Sequence, residues 1–374
     1  MLLSLIGNQR VVICSGAGGV GKTTTSAALG LAAARAGRRA VVLTIDPARR
    51  LADALGMETL PSEAAPVPRE LLDGVGVPPQ GSLHALMLDP KVTFDELVRR
   101  LNAPEDAERI LQNRLYQNVS ELMAGLQEYA AEEKLHQLYQ DDRFDLVVVD
   151  TPPTRNALDF LDAPNKLTRF FDERVLKWFA PQESRGLGFL QRTGKVVGGV
   201  LGKVFGEGFT AELGDFLRAI GGMTATFRSH AEEVRRVLGS TEATFLLVTA
   251  PEVAALDDAI FFRTKLQELE LPFGGFIVNR LHPERPESSE AERATTEAAL
   301  AGEVGAEKAA ELLARLEASY AQERSRALRD RAMVDRLLAM GEAKVVGIPR
   351  LEGEISDLAG LARIGDSAFV PGES

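Results

Sequence analysis

Eight residues, Gly16-Ala17-Gly18-Gly19-Val20-Gly21-Lys22-Thr23, follow the spacing G-x-x-x-x-G-K-T. This spacing suits a polyphosphate. Glycines let the backbone curl until successive N–H groups point inward at phosphate oxygens. A helix beginning there adds unpaired N–H donors and partial positive charge. On this reading Gly16, Gly18, Gly19, Val20, Gly21, Lys22, Thr23 and Thr24 line a nucleotide site. Lys22 reaches the β- and γ-phosphates, and the Thr23 hydroxyl is a ligand for Mg²⁺. Asp150 closes the apolar run Leu146 to Val149. With the glycine loop upstream, an aspartate at such a strand end anchors the hydration shell of the metal. Asp46 leaves a second apolar run, Arg39 to Ile45, where α/β ligand sites lie. The chemistry such groups suit is transfer of a nucleotide's γ-phosphoryl group to water.

These groups need strands to hold them. Val11 to Cys14 reads as the strand before the loop, and Thr24 to Arg35 as the helix after it. Further strands are expected at Leu83–Leu88, Thr244–Val248, Phe276–Val278 and Lys344–Ile348. Helices are expected at 92–101, 104–114, 120–138, 253–269 and 354–364, with a charged helical hairpin over 287–340 turning near Gly302 to Gly305. Residues 57–82, rich in Pro, Gly and Glu, read as a long surface connection, and 369–374 as a frayed tail. Strands alternating with helices predict an α/β fold, a P-loop NTPase with a doubly wound, mainly parallel sheet. The expected organisation is one domain over 1–374, with a helical subdomain inserted as two blocks, 92–140 and 165–240.

The chain has 374 residues and a formal net charge of −11. That charge argues against broad binding to nucleic acid or anionic lipid. No apolar run approaches the ~20 residues that span a bilayer, and residues 1–6 are too short for a signal peptide. A cytoplasmic location is expected, with no integral membrane segment. Cys14 is the single cysteine, so no thiolate cluster exists for zinc or another soft metal. His84, His136, His230 and His282 show no metal spacing and read as structural or surface residues.

The stretches GAGGVGKTT, DPARRLADALG and VVVDTPPTRNALDFLDAP, with the late VNR and GIPR, together resemble the ArsA-like ATPases. That family includes arsenical pump-driving ATPases and ATPases that target tail-anchored membrane proteins, and is related to MinD. The resemblance implies a dimeric ATP switch. It implies that Asp46 orients the attacking water, that Asp150 lies near Mg²⁺, and that Thr151 to Thr154 move with the γ-phosphate. It also implies that Asn279, Pro349 and Arg350 form the adenine pocket. Asn279 carries a donor and an acceptor together, as an adenine edge requires. The absence of an N-K-x-D stretch favours ATP over GTP.

Three departures from the family pattern stand out. The loop usually carries a lysine where this chain has Ala17, and that lysine meets the partner's nucleotide. Either Arg49, Arg50 or Arg155 replaces it, or a lysine-bearing paralogue pairs with this chain, or hydrolysis is slow. The partner is therefore a second copy or a paralogue. The cysteines that bind metalloid in arsenite pumps are absent, so arsenite is expected to leave ATP turnover unchanged; stimulation in a phosphate-release assay contradicts this. The zinc-binding Cys pairs of the targeting members are absent too. Residues 186–209 combine an apolar stripe with Gly194, Gly198, Gly199, Gly202 and Gly206, which weaken a helix by ~1 kcal/mol each relative to alanine. They read either as cover for a hydrophobic protein client or as a connection packed on its own helical block.

Overall fold

The computed structural model describes residues 1–46, 49–113, 116–117, 126–153, 209–341, 344–353 and 355–371. Among the described residues eight strands form one sheet: β1 (Val11–Gly16), β2 (Arg39–Thr44), β3 (Ala65–Pro66), β4 (Ser82–Met87), β5 (Leu146–Asp150), β6 (Ala243–Thr249), β7 (Phe273–Leu281) and β8 (Val345–Pro349). Twelve helices accompany them among the described residues. They are α1 (Leu2–Ile6), α2 (Lys22–Arg35), α3 (Arg50–Leu55), α4 (Arg69–Gly74), α5 (Pro90–Leu101), α6 (Pro104–Leu111), α7 (Leu126–Gln140), α8 (Phe209–Leu238), α9 (Val253–Glu268), α10 (Glu290–Val304), α11 (Ala306–Leu338) and α12 (Leu358–Ser367).

The strand order is β3-β4-β2-β5-β1-β6-β7-β8. Every pair is parallel except the short edge pair β3–β4. Parallel strands buried on both faces read as continuous apolar runs, and β1, β5 and β6 are buried along their whole length. Alternate side chains serve opposite faces. Val11, Ile13, Val147, Val149, Phe245 and Leu247 join a core with helices α5 to α9 and α11. Val12, Cys14, Leu146, Val148, Leu246 and Val248 join the other core, under α1, α2, α3 and α12. The sheet is therefore wound on both sides. Because the strands run parallel, the ends of β1, β2, β5, β7 and β8 lie along one edge. β1 sits between β5 and β6, the reversal of strand order at which such sheets bind ligands.

Phe94, Tyr129 and Phe227 join α5, α7 and α8 by ring contacts of 5.0–6.1 Å. Lys134 of α7, 2% exposed, donates to Glu63 at 2.9 Å and Glu96 at 3.0 Å. A buried ammonium needs such pairing. The hairpin of α10 and α11 bears out the charged stretch and turns at Gly305. A capping box of Ser289 and Glu292 starts it. No helix among the described residues is long and apolar enough to cross a membrane.

Some expectations need correction. The connection 57–82 contains β3 and α4. Arg69 holds that segment by donating to the carbonyls of Val77, Pro78 and Gly81, a polar tie that leaves no apolar period. Within residues 1–6, Leu2–Ile6 form α1, with Leu2, Leu5 and Ile6 buried. The last helix starts at Leu358, where Asp357 accepts from the Gly360 N–H at 2.7 Å. Phe369 is not frayed: it exchanges two backbone bonds with Gly347, at 2.8 and 3.0 Å. β7 runs past Asn279 to Leu281, with an irregular register after Val278 and Arg280 at φ +64°. Residues 165–208 and the segment 118–125 lie outside the described residues, as does Arg155.

Gly16 marks how closely the sheet is built around the loop. A Cβ there would lie 2.0 Å from the Val248 carbonyl oxygen of β6, and neither backbone can retreat within a parallel sheet. Gly16→Ala is expected to destabilise the protein by about 1–3 kcal/mol, the usual range for overpacking. Urea unfolding with a midpoint equal to that of the parent chain would contradict this.

Candidate functional site

The glycine loop leaves β1 and enters α2 through Gly21, whose φ is +94°. A Cβ on Gly21 would also lie 2.3 Å from Asn279 Nδ2, so glycine is required there twice over. No side chain caps α2; its first N–H groups face the loop, as an anion cradle requires. Lys22 is only 8% exposed and its Nζ donates to the Ala17 carbonyl at 2.9 Å. Burial lowers its pKa from the ordinary lysine value, while Asp150 and Asp46 act in the opposite direction.

Asp150 sits at the tip of β5, in register with Cys14 of β1 and Thr44 of β2. It is fully buried. Its Oδ2 accepts from the Thr23 hydroxyl at 2.7 Å and from the Thr44 hydroxyl at 2.9 Å. Its Oδ1 is buried with no hydrogen-bond partner. Burial pushes its pKa up to about 6, opposed by the two hydroxyls and Lys22 and reinforced by Asp46. An orphaned buried carboxylate oxygen beside a threonine hydroxyl is a set of hard oxygen donors, and it fits Mg²⁺.

Thr44 was not singled out from sequence. Its signal was a hydroxyl in the otherwise apolar tip of β2, next but one to Asp46. Thr151, expected to move with the γ-phosphate, follows Asp150 directly. Its Oγ1 donates to the Cys14 carbonyl at 2.9 Å and lies 3.2 Å from Ser15 Oγ, which ties the start of the 151–154 stretch to β1.

Asp46 lies just beyond β2, and its N–H meets the Thr44 hydroxyl at 3.3 Å. Arg50 Nη1 is 3.7 Å from Asp46 Oδ2. Arg49 instead donates to the Glu58 carbonyl, so of these two arginines Arg50 is the one beside a site carboxylate. Asn279 lies on β7. Its Nδ2 donates to the Val20 carbonyl at 2.9 Å, and its Oδ1 accepts from the Arg280 N–H at 2.9 Å. The carboxamide thus braces the loop. The Arg350 N–H donates to the Leu281 carbonyl at 2.7 Å, which sets the Pro349–Arg350 turn beside the end of β7. Cys14 is fully buried, and burial pushes its thiol up to about 12. It is an inert core residue.

A glycine loop between β1 and α2, with a buried threonine–aspartate pair beside it, defines a P-loop nucleotide hydrolase. The chain belongs to the family described as anion-transporting ATPases (ArsA ATPases), whose pattern matches residues 9–304. It is similar to the ATPase GET3C of Arabidopsis thaliana, 24% identical over 296 residues that cover 75% of this chain and 68% of that protein. It is 24% identical to the ATPase get3 of Schizosaccharomyces pombe over 271 residues, 72% of this chain and 73% of the relative. With the ATPase ARSA2 of Chlamydomonas reinhardtii it shares 26% over 273 residues, 72% and 67% of the two chains. The protein is an ATPase of this family, and the resemblance drawn from its motifs is borne out.

Proposed function

We propose that the protein is a Mg²⁺-dependent ATP switch, a dimer whose nucleotide state is coupled to a protein or membrane-linked client. The observation that carries this is the 2.7 Å bond between Thr23 and the buried Asp150 beside Lys22. Thr23 and Asp150 would hold Mg²⁺, which when bound neutralises phosphate charge. Gly16, Gly18, Gly19, Val20, Gly21 and Thr24 wrap the phosphates, and Lys22 meets the β- and γ-oxygens. Asp46 orients the attacking water, and positioning supplies most of the rate. Asn279, Pro349 and Arg350 flank the base; on that reading the Asn279 amide exchanges its loop partner for adenine or holds the loop while its neighbours meet the ring.

The organisation goes with this: one ATPase domain over 1–374, with helical blocks 92–140 and 165–240 as the client-facing part. One buried cysteine and ATP as substrate go with a cytoplasmic location. Asp46→Asn is expected to lower kcat by about 10²–10⁴-fold, the span of a positioned acid–base group, while Mg·ATP affinity stays within a few-fold. Single-turnover hydrolysis with equilibrium binding checks this; a loss confined to binding contradicts the assigned role.

A second reading rests on Ala17. Without a cation at that position the chain suits a slow ATP-binding subunit paired with a lysine-bearing paralogue. Turnover of the isolated protein, compared with turnover after adding such a homologue, separates the two. Full rate alone excludes a required partner.

A further inference from the structure

Away from the nucleotide, α7 and α8 bring four chemistry-bearing side chains together. Glu133 and His136 are three residues apart on α7; His230 and Glu233 are three residues apart on α8. Residues at i and i+3 share a helix face. The helices meet in matching order, so each carboxylate faces an imidazole one turn apart. His230 Nδ1 is 2.7 Å from Glu133 Oε2, and His136 Nε2 is 2.9 Å from Glu233 Oε2. The two imidazoles lie between these rungs, stacked at 4.1 Å with planes 15° apart. His136 and His230, read from sequence as structural or surface residues, are thus in direct contact. Glu-x-x-His and His-x-x-Glu are each too short a pattern to signal a site, and only the contact between two helices 97 positions apart in the chain makes them a cluster.

The geometry points to a binding site for one borderline divalent cation of the zinc, cobalt or nickel type, held by His136, His230, Glu133 and Glu233. Three observations support it. One ligand atom each from Glu133, His136 and His230 lies within 4.8 Å of the others. Around a tetrahedral ion at ~2.0–2.1 Å the ligands sit about 3.3 Å apart, so rotamer adjustments of up to about 1.5 Å close these three, and Glu233 joins them from its place 2.9 Å from His136 Nε2. Each carboxylate also has its other oxygen already held. Glu133, with no exposed side-chain surface, accepts on Oε1 from Arg100 and from Gln137 at 3.1 Å. Glu233 accepts on Oε1 from Gln140 at 2.7 Å. Outer partners that fix one oxygen and leave the other aimed inward orient metal ligands in this way. Finally, two imidazoles with carboxylates suit zinc-like ions better than the hard cation that Thr23 and Asp150 fit.

Such an ion would bolt α7 to α8. α7 leads into β5, whose tip is Asp150, and α8 leads into β6, on the other flank of β1. The clamp therefore fixes the helical layer behind the phosphate loop and touches no group assigned to hydrolysis.

The test uses untagged, full-length, metal-stripped protein in millimolar MgCl₂ without nucleotide, titrated with ZnCl₂ or CoCl₂. The expected result is one equivalent bound at micromolar affinity or tighter. Zinc-edge X-ray absorption should show a shell with two imidazoles, and zinc should raise the melting temperature. His136→Gln and His230→Gln should each lower affinity more than about 100-fold, beyond the 10–100-fold of an outer partner. Glu233→Gln, at the more exposed rung, provides a folded ligand variant should the histidine changes unfold the chain. No uptake by the parent protein, a shell without imidazole, or equal affinity in the folded variants overturns the assignment. None of these outcomes depends on whether the protein hydrolyses ATP.

Discussion

Lys22→Ala is expected to reduce ATP turnover by at least about 10²–10³-fold, the loss that follows removal of one preorganised stabiliser of developing charge. The ammonium is buried beside Asp150 and anchored on the Ala17 carbonyl. It therefore needs only a short movement to meet phosphate oxygens in a site with little water to screen it. Alanine removes both the charge and the reach. The lysine side chain makes its hydrogen bond within the loop, to the Ala17 carbonyl, and none to a strand, so the variant should fold. It leaves Asp150 without its nearby positive charge, which moves that carboxyl further up from about 6. Lys22→Arg should recover little, because the wider guanidinium does not fit a loop braced by Asn279 at 2.9 Å. Steady-state phosphate release, with circular dichroism as the folding control, checks both variants. Turnover within tenfold of the parent rate for Lys22→Ala removes the loop from the catalytic account.

Asp150→Asn is expected to act in two opposite directions. Its carboxylate is one of the two groups that fit Mg²⁺, so hydrolysis should fall by about 10³-fold or more. The nucleotide-free fold, in contrast, is relieved of a buried charge. A carboxyl raised from 3.8 to about 6 takes up a proton more readily folded than unfolded. Ionising it therefore opposes folding. The penalty is small below about pH 4 and complete above about pH 6, where it reaches about 3 kcal/mol at 1.36 kcal/mol per tenfold. The asparagine does not titrate. The unfolding free energy of the variant minus that of the parent should therefore grow by about 2 kcal/mol between pH 4.5 and 7.5. Any constant cost of the unmatched amide cancels from that change. Paired urea titrations at the two pH values measure it. A difference that is flat with pH, or shrinks as pH rises, shows that the carboxylate is not held against its preference.

This opposition is physically instructive. The orphaned Oδ1 of Asp150 weakens the empty-handed fold and is what a hard cation would satisfy. Local stability is given up at the point where ligand binding restores it.

How far the sequence carried this picture follows from the range of each interaction. Lys22, Thr23 and the glycines are legible because strand, loop and helix are contiguous. Asp150 was legible because an apolar strand ends on it. That Thr44 shares Asp150 with Thr23 was not, because the register of β2 against β5 is a tertiary fact. Arg50 and Arg49 are neighbours in sequence and were equal candidates; the turn into α3 sends one toward Asp46 and the other to the Glu58 carbonyl. Asn279 was expected at the base and here braces the loop, a contact across 259 positions. β3 and α4 escaped notice because prolines and an arginine tie define them. The α7–α8 cluster escaped because neither helix carries more than one histidine of the pair.

The most direct measurement of the central claim is isothermal calorimetry of purified, folded protein with ATP, with and without Mg²⁺, alongside Asp150→Asn. The account predicts saturable binding that strengthens when Mg²⁺ is present, and loss of that strengthening in the variant. Folded protein that ignores Mg·ATP at millimolar concentration, or a variant whose Mg²⁺ response equals that of the parent, contradicts it.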